Sequence, residues 1–217
     1  MVFDFFGLLV LFAKKSSGSG ICESHAGTEN KKGERSMNIL ILNGSPRHTG
    51  NTHSALRLLE EKLHALGAQT QFVDVCNLKL TGCQACDACK KNGGRCVMDQ
   101  DSAQVIDQIA QVDAVVFGTP VYWWGMSAQL KMVVDKFYSQ DGPFHKMNKK
   151  IGVLVVGANA QTDPQYELIG RQFSCIADYL DWETSFQLSF SAWEAGEVMK
   201  QPGLEEKLSQ AAENLVK

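Results

Sequence analysis

The segment NGSPRHTGNT, residues 43–52, lies between an apolar run and a helical pattern. Gly44 and Gly50 allow the backbone to turn tightly. The side chains that can donate hydrogen bonds here are those of Ser45, Arg47, Asn51 and Thr52. Because the segment ends a strand and opens a helix, its backbone N–H groups and the positive end of the helix dipole point at one place. This predicts an anion site, and the alternative is an ordinary helix cap after a βα turn.

A second candidate is a cysteine array of the form C-x2-C-x2-C-x6-C, made of Cys83, Cys86, Cys89 and Cys96. Steps of three residues keep the first three thiols on one side of a helical or turn-like segment, and the NGG stretch at 92–94 permits a reversal toward the fourth. Four thiolates at such spacing could bind a [4Fe–4S] cluster, or a zinc ion through all four cysteines. The remaining alternative is that the thiols carry no metal.

The third candidate is the aromatic loop TPVYWWG, residues 119–125. Pro120 stiffens the turn, and Tyr122, Trp123 and Trp124 supply flat apolar surface that suits a ring system. The alternatives are an aromatic cluster that caps the core, or a subunit interface. Further along, the GANAQ stretch at 157–161 begins with Gly157, which leaves room for the edge of a ring.

These segments follow strands in an alternating pattern. Apolar runs predict strands at 38–43, 71–75, 114–119, 151–157 and 184–190. Helical periodicity predicts helices at 51–66, 102–111, 126–139, 164–180 and 203–216. Strands that alternate with helices indicate an α/β fold, a parallel sheet with helices on both faces. Such sheets bind ligands at the carboxyl ends of their strands, so we expect the site in the loops after strands one, three and four.

The loops GSPRHTGNT and TPVYWWGMSAQLKMVVDKF, together with the tail WEAGEVMKQPGLEEKLSQAAENL, resemble the NADPH-dependent FMN reductase family of the flavodoxin-like superfamily. The resemblance implies a three-layer fold with a five-stranded parallel sheet in the order 2-1-3-4-5. It also implies that FMN is the cofactor, with its phosphate held by Ser45, Arg47, Gly50, Asn51 and Thr52. The ribityl chain and ring would lie along Thr119, Pro120, Val121, Tyr122, Trp123 and Gly157.

The chain departs from this family where members often carry Asp-Arg, because it has Asp135-Lys136. The cysteine spacing resembles the compact motif of the iron–sulfur flavoproteins, a subgroup of the same family. That resemblance assigns Cys83, Cys86, Cys89 and Cys96 to a [4Fe–4S] cluster, whereas plain reductases keep similar cysteines without one.

The expected function is that of an FMN-dependent NAD(P)H oxidoreductase, which passes electrons from a nicotinamide substrate to a flavin, quinone or similar small acceptor. The alternative is an iron–sulfur flavoprotein that serves as a non-enzymatic electron carrier. Hydride transfer to the flavin requires no protein acid or base, so we predict no catalytic side chain.

A homodimer is expected, because a ring at the edge of one small sheet stays open on a side that a second subunit can close. Trp123, Trp124 and Phe144 are predicted to supply the exposed apolar surface for this contact. The net charge of −3 offers no basic field for nucleic acid.

Residues 1–36 are predicted to be a disordered or non-native extension, and residues 37–217 the folded domain. The apolar run at 5–13 is too short to span a bilayer and lacks the flanks of a signal peptide. A weak membrane-surface anchor is the alternative for this extension. No membrane partner and a cytoplasmic location are expected.

Overall fold

The computed structural model describes residues 35–217. Its sheet contains five strands, all parallel, in the order β2-β1-β3-β4-β5. The strands are β1 Asn38–Asn43, β2 Gln69–Asp74, β3 Ala114–Pro120, β4 Lys150–Gly157 and β5 Glu183–Ser191. The predicted fold class and strand order are therefore confirmed.

The helices are α1 Asn51–Ala65, α2 Ala88–Lys91, α3 Gln100–Gln111, α4 Ala128–Val134, α5 Asp141–Phe144, α6 Pro164–Leu180 and α7 Leu204–Val216. Three short 3-10 segments occur at Val75–Asn77, Asp135–Gln140 and Glu197–Lys200.

The central strands are apolar because both faces of the sheet are covered. Successive residues of β1 belong to different cores: Leu40 and Leu42 pack with residues of α3, α4 and α6, whereas Ile39 and Ile41 pack with residues of α1 and α7. The outer strands β2 and β5 are only partly buried. Helices therefore cover both faces of the sheet, and the connecting loops lie at the carboxyl ends of its strands.

The predicted helix at 126–139 is wrong in its extent. Ser127 caps the helix through its hydroxyl, which accepts from the Leu130 N–H, so regular helix begins at Ala128. After Val134 the chain tightens into the 3-10 segment Asp135–Gln140, in which Lys136 is buried and pairs with Asp99. The role predicted for Phe144 is also wrong, because its side chain is fully buried against Phe137 and Trp182.

The predicted N-terminal extension falls outside the described residues, apart from Arg35 and Ser36. Arg35 forms an ion pair with Asp113, and the Ser36 hydroxyl donates to the Gly67 carbonyl. Within residues 35–217, no helix has the length and apolar character needed to cross a membrane.

Candidate functional site

Loops from the carboxyl ends of β1, β3, β4 and β5 enclose a cavity of about 170 Å³. It brings together most of the predicted cofactor residues, namely Ser45, Arg47, Gly50, Asn51, Thr52, Pro120, Val121, Tyr122 and Gly157. The other lining residues are Val156, Ala158, Ala192 and Trp193. Thr119 and Trp123, also predicted to contact the cofactor, do not line it.

One end of the cavity has the features that the sequence predicts for an anion site. Helix α1 begins after Gly50 without a side-chain cap and has no acidic residue in its first turn, so its first N–H groups have no capping side chain to satisfy them. The Arg47 side chain lies beside this helix end, is exposed, and forms no ion pair with another described residue. The helix end and the Arg47 guanidinium contribute positive potential. The Asp74 carboxylate, at the end of β2, lies 3.7 Å from His48 of the same loop and accepts from the Asn43 side chain.

Gly50 is required by close packing in this loop. A Cβ at this position would lie 2.9 Å from the Arg47 Cβ and 3.1 Å from the Arg47 carbonyl oxygen. Ser45 stabilises the same turn, because its hydroxyl accepts from the Arg47 N–H at 3.2 Å. The turn is anchored to β1, since the Ser45 N–H donates to the Asn43 side chain at 3.0 Å.

Asn51 has a role that the sequence does not reveal. Its side-chain amide donates to the Glu194 carbonyl at 2.9 Å and accepts from the Val198 N–H at 3.2 Å. Both partners lie in the segment that follows β5, so the Asn51 side chain fastens this segment to the start of α1. Because its side-chain amide is used in this way, Asn51 would contribute its backbone N–H, and not its side chain, to the predicted anion site.

The loop after β3 shapes the middle of the cavity. The Thr119 hydroxyl is buried; it donates to the Pro120 carbonyl at 2.8 Å and accepts from the Ser127 N–H at 2.9 Å. Thr119 therefore stabilises the conformation of this loop through two hydrogen bonds, without lining the cavity. The Val121 N–H donates to the Val156 carbonyl at 2.8 Å, which continues the sheet pairing into the cavity wall.

Residues Tyr122–Gly125 form a tight turn, in which the backbones of Tyr122 and Gly125 exchange both hydrogen bonds. The central residues Trp123 and Trp124 have φ values of 47° and 60°. Such left-handed conformations are strained for bulky residues, and turns of this kind normally carry Asn-Gly. Both indoles remain accessible, Trp123 at 92% and Trp124 at 47% exposure.

The loops after β4 and β5 close the far side. A Cβ on Gly157 would lie 2.8 Å from Val121 Cγ2 and 2.9 Å from the Tyr166 hydroxyl, so glycine is needed there. The Ala192 N–H donates to the Gly157 carbonyl at 2.7 Å, which brings Trp193 to the cavity. Sequence reasoning missed Ala192 and Trp193, although the rule that ligands bind at carboxyl strand ends also covers the loop after β5.

The four predicted cysteine ligands line one small cavity in the connection between β2 and α3. Cys83 and Cys86 are exposed, and Cys89 and Cys96 are partly buried. The chain reverses at Gly93 and Gly94, which have φ values of 62° and 79°, and the Gly94 N–H donates to the Cys89 carbonyl at 3.0 Å. The described part of the chain holds no set of three or more His, Cys, Asp or Glu side chains arranged to bind a metal ion.

The backbone on either side of Cys86 is unusual. Ala85 and Asp87 have φ values of 51° and 57°, in the left-handed region. The Asp87 carboxylate accepts from the Tyr138 hydroxyl at 2.7 Å, and Lys90 donates to the Tyr138 carbonyl. The cysteine loop is thus fastened to the 3-10 segment after α4.

A buried ion pair also connects the loop and that segment. Lys136 Nζ lies 3.1 Å from Asp99 Oδ2 and 3.4 Å from Cys96 Sγ. Burial alone would lower the pKa of Lys136, but its hydrogen bonds to Asp99 and Cys96 raise it above the usual value. Burial alone would raise the pKa of Asp99, but hydrogen bonds from Ser102, Lys136 and Thr81 hold it below the usual value.

A five-stranded parallel sheet in the order 2-1-3-4-5, with helices on both faces, is the flavodoxin-like fold. Residues 37–169 match the NADPH-dependent FMN reductase family, and the chain belongs to that family.

Several relatives are iron–sulfur flavoproteins, which supports the resemblance to that subgroup. One from Methanocaldococcus jannaschii is 34% identical over 126 residues, which cover 57% of this chain and 63% of that protein. This chain therefore spans less than two thirds of that relative's length. Another, from Methanosarcina thermophila, is 27% identical over 147 residues, which cover 67% of this chain and 72% of that protein.

Among solved structures, an NAD(P)H:quinone oxidoreductase from Methanothermobacter marburgensis shares the fold. Its TM-score is 0.66 at 16% identity, with coverage of 84% of this chain and 97% of that one.

Proposed function

We propose that the protein is an FMN-dependent oxidoreductase that takes electrons from NAD(P)H and passes them to a small flavin, quinone or similar acceptor. The observation that carries the proposal is one cavity at the carboxyl edge of the sheet, which joins the start of α1 to the aromatic loop after β3. Membership of the FMN reductase family supports it.

FMN fits the residues present. The N–H groups at the start of α1 and the Arg47 guanidinium suit a phosphate monoester, and Gly50 keeps the loop close-packed beneath it. Pro120, Val121 and Tyr122 offer the wall along which the ribityl chain and ring would lie, and Gly157 allows Val121 and Tyr166 to pack closely at the end of β4.

The bound flavin would supply the redox chemistry, accepting a hydride and releasing electrons to the acceptor. The chain's own residues bind and orient it. None of the cavity-lining residues is Asp, Glu, His or Lys, and Tyr122 is the lining residue whose type can act as a general acid or base. Hydride transfer to a bound flavin requires no protein acid or base, so the residues of the wall would act by positioning the reactants.

The test is to load the purified protein with FMN and mix it with NADH or NADPH without oxygen. Bleaching of the flavin absorbance by either nicotinamide, and reoxidation by a quinone, is the expected result. A protein that binds FMN but is reduced by neither nicotinamide would contradict the reductase assignment and favour an electron carrier.

We also propose that Cys83, Cys86, Cys89 and Cys96 bind a [4Fe–4S] cluster. The donor set is suitable, because four thiols line one cavity and the turn at Gly93 and Gly94 returns the fourth toward the other three. Binding requires the thiols to move closer together and to lose their protons. The strained residues beside Cys86 mark the segment in which such a movement would occur.

Iron and acid-labile sulfide assays on protein purified without oxygen test the cluster. Cys86→Ser should lose iron and broad visible absorbance, whereas Cys175→Ser is the matched control, because Cys175 is an exposed cysteine on α6 outside the loop. Iron-free wild-type protein prepared in this way would end the cluster proposal. If Cys86→Ser loses iron but keeps NAD(P)H oxidation, the cluster and the flavin act separately.

A homodimer is the third proposal. The exposed, strained Trp123–Trp124 turn adjoins the cavity through Tyr122, and exposed aromatic surface of this kind is typical of interfaces. Light scattering of the FMN-loaded protein at micromolar concentration should give twice the chain mass. A monomer mass would refute the proposal.

A further inference from the structure

We infer that Lys136 is a positioning residue for the iron–sulfur site, holding Cys96 in place and setting the reduction potential of the cluster. The inference rests on the cluster proposed above and adds a residue outside the cysteine array to it. It is drawn from one contact, the buried ammonium that lies between Asp99 and the Cys96 sulfur.

The placement of this lysine is unusual. Lys136 is only 2% exposed, and lysine is almost never fully buried unless it is paired. Its pair is Asp99, whose side chain is 8% exposed. Burying both charges is costly unless the remaining polar atoms are satisfied, and here the second hydrogen-bond partner of the ammonium is the Cys96 sulfur.

Asp99 is held in place by hydrogen bonds from two separate backbone segments. Its carboxylate accepts from the Thr81 N–H at 3.0 Å and from the Ser102 N–H at 2.7 Å, so it spans both ends of the cysteine loop and caps α3. Because Asp99 cannot shift without breaking these bonds, the Lys136 ammonium is held at one position. Cys96 is therefore the cysteine of the array whose sulfur is placed by a buried ion pair.

The charge of Lys136 has a direct electrochemical consequence. Adding an electron to a four-thiolate cluster increases its negative charge. An ammonium that donates to a ligand sulfur in a buried site stabilises that charge, and hydrogen bonds to the sulfurs are known determinants of cluster potential. Lys136 should raise the potential and so favour electron acceptance by the cluster.

The second connection of Lys136 is along the chain. The loop after β3 lines the flavin cavity, continues into α4, and leads to the segment that contains Lys136. The residue that holds Cys96 is thus covalently linked, through one short helix, to the wall of the proposed FMN site.

The experiment compares reconstituted, anaerobic wild-type protein with Lys136→Met and Lys136→Arg. Iron content and the midpoint potentials of cluster and flavin are measured by EPR and visible spectroscopy during redox titration. Lys149→Met is the matched control, because Lys149 is also buried but lies before β4, at the opposite end of the sheet.

We expect Lys136→Met to shift the ratio of oxidised to reduced cluster by roughly tenfold or more, which is about 59 mV downward for a one-electron couple. The flavin potential should stay unchanged, and Lys136→Arg should restore most of the cluster shift. If Lys136→Met does not fold, the double variant Lys136→Met with Asp99→Asn removes the unpaired buried carboxylate and provides the same comparison.

Equal iron content and equal cluster potentials in wild type and Lys136→Met would overturn the inference while leaving the cluster in place. Wild-type protein without iron would overturn both, but it would leave the FMN site untouched. A shift as large in Lys149→Met would mean that any buried lysine has this effect, which would also overturn the role assigned to Lys136.

Discussion

Arg47 provides the sharpest test of the phosphate end of the cavity. We expect Arg47→Ala to weaken FMN binding without affecting the fold, because the side chain is exposed and has no ion-pair partner within the described residues. The neighbouring N–H groups of α1 are unchanged by this substitution, so some phosphate binding should remain.

The magnitude follows from the type of contact. A hydrogen bond to a charged group contributes roughly 1.5–3 kcal/mol, which corresponds to a dissociation constant raised roughly 10- to 150-fold. Exposure and salt reduce this contribution, so the lower end is expected at physiological ionic strength. Arg47→Lys should lie between wild type and Arg47→Ala, since it keeps the charge but loses the planar fork.

The assay is titration of apoprotein with FMN and, separately, with riboflavin, which lacks the phosphate. Arg47→Ala should weaken only the FMN complex. The matched control is Arg171→Ala, which removes the same charge from an exposed position on α6, outside the cavity lining. If Arg47→Ala and Arg171→Ala bind FMN equally well, or if Arg47→Ala weakens riboflavin as much as FMN, the assignment of Arg47 to the phosphate is wrong.

Three further predictions concern stability. Asn51→Ala should cost about 1–3 kcal/mol in urea unfolding, because it leaves Glu194 and Val198 without their partner; an unchanged midpoint would contradict this. Burial lowers the pKa of Lys149 to about 8 from 10.5, so the unfolded chain binds more protons between these values. The unfolding free energy of wild type relative to Lys149→Met should therefore rise with pH across this window, by up to about 3 kcal/mol; a flat difference would refute the shift. Replacing Trp123 and Trp124 by Asn and Gly should relieve roughly 1–2 kcal/mol of turn strain and shift light scattering toward the monomer; an unchanged dimer mass would remove the turn from the interface.

The central strands could be predicted because each of them corresponds to one continuous apolar run in the sequence. The apolar runs of β1, β3 and β4 are buried on both faces, so they stand out against polar surroundings. Helix α6 was predicted at its observed bounds since Asp163 caps it and Pro164 begins it. The position of the loop between β1 and α1 could be predicted for the same reason, because a strand, a glycine-containing turn and a helix adjoin in sequence.

What could not be predicted depends on contacts between distant segments. Phe144 is buried by Phe137 and by Trp182, whose ring N–H donates to its carbonyl. Lys136 meets Cys96 across 40 positions of sequence, and no periodicity signals such a pair. The Trp123–Trp124 turn lacks the Asn or Gly that usually indicates its type, so only the backbone angles reveal it.

The position of the cysteine loop bears on how this fold can diversify. The loop leaves β2, which lies at the edge of the sheet, and rejoins the domain at α3. Residues 75–99 contain no strand, so the exposed part of this loop can change without altering the order or pairing of any strand, whereas the buried side chains of Val75 and Asp99 belong to the fixed part of the domain. A lineage could gain or lose the cysteines as an exchangeable module while keeping the flavin cavity. Lys136 lies outside this loop, in the 3-10 segment after α4, so the cysteine loop and the lysine that contacts it could change independently.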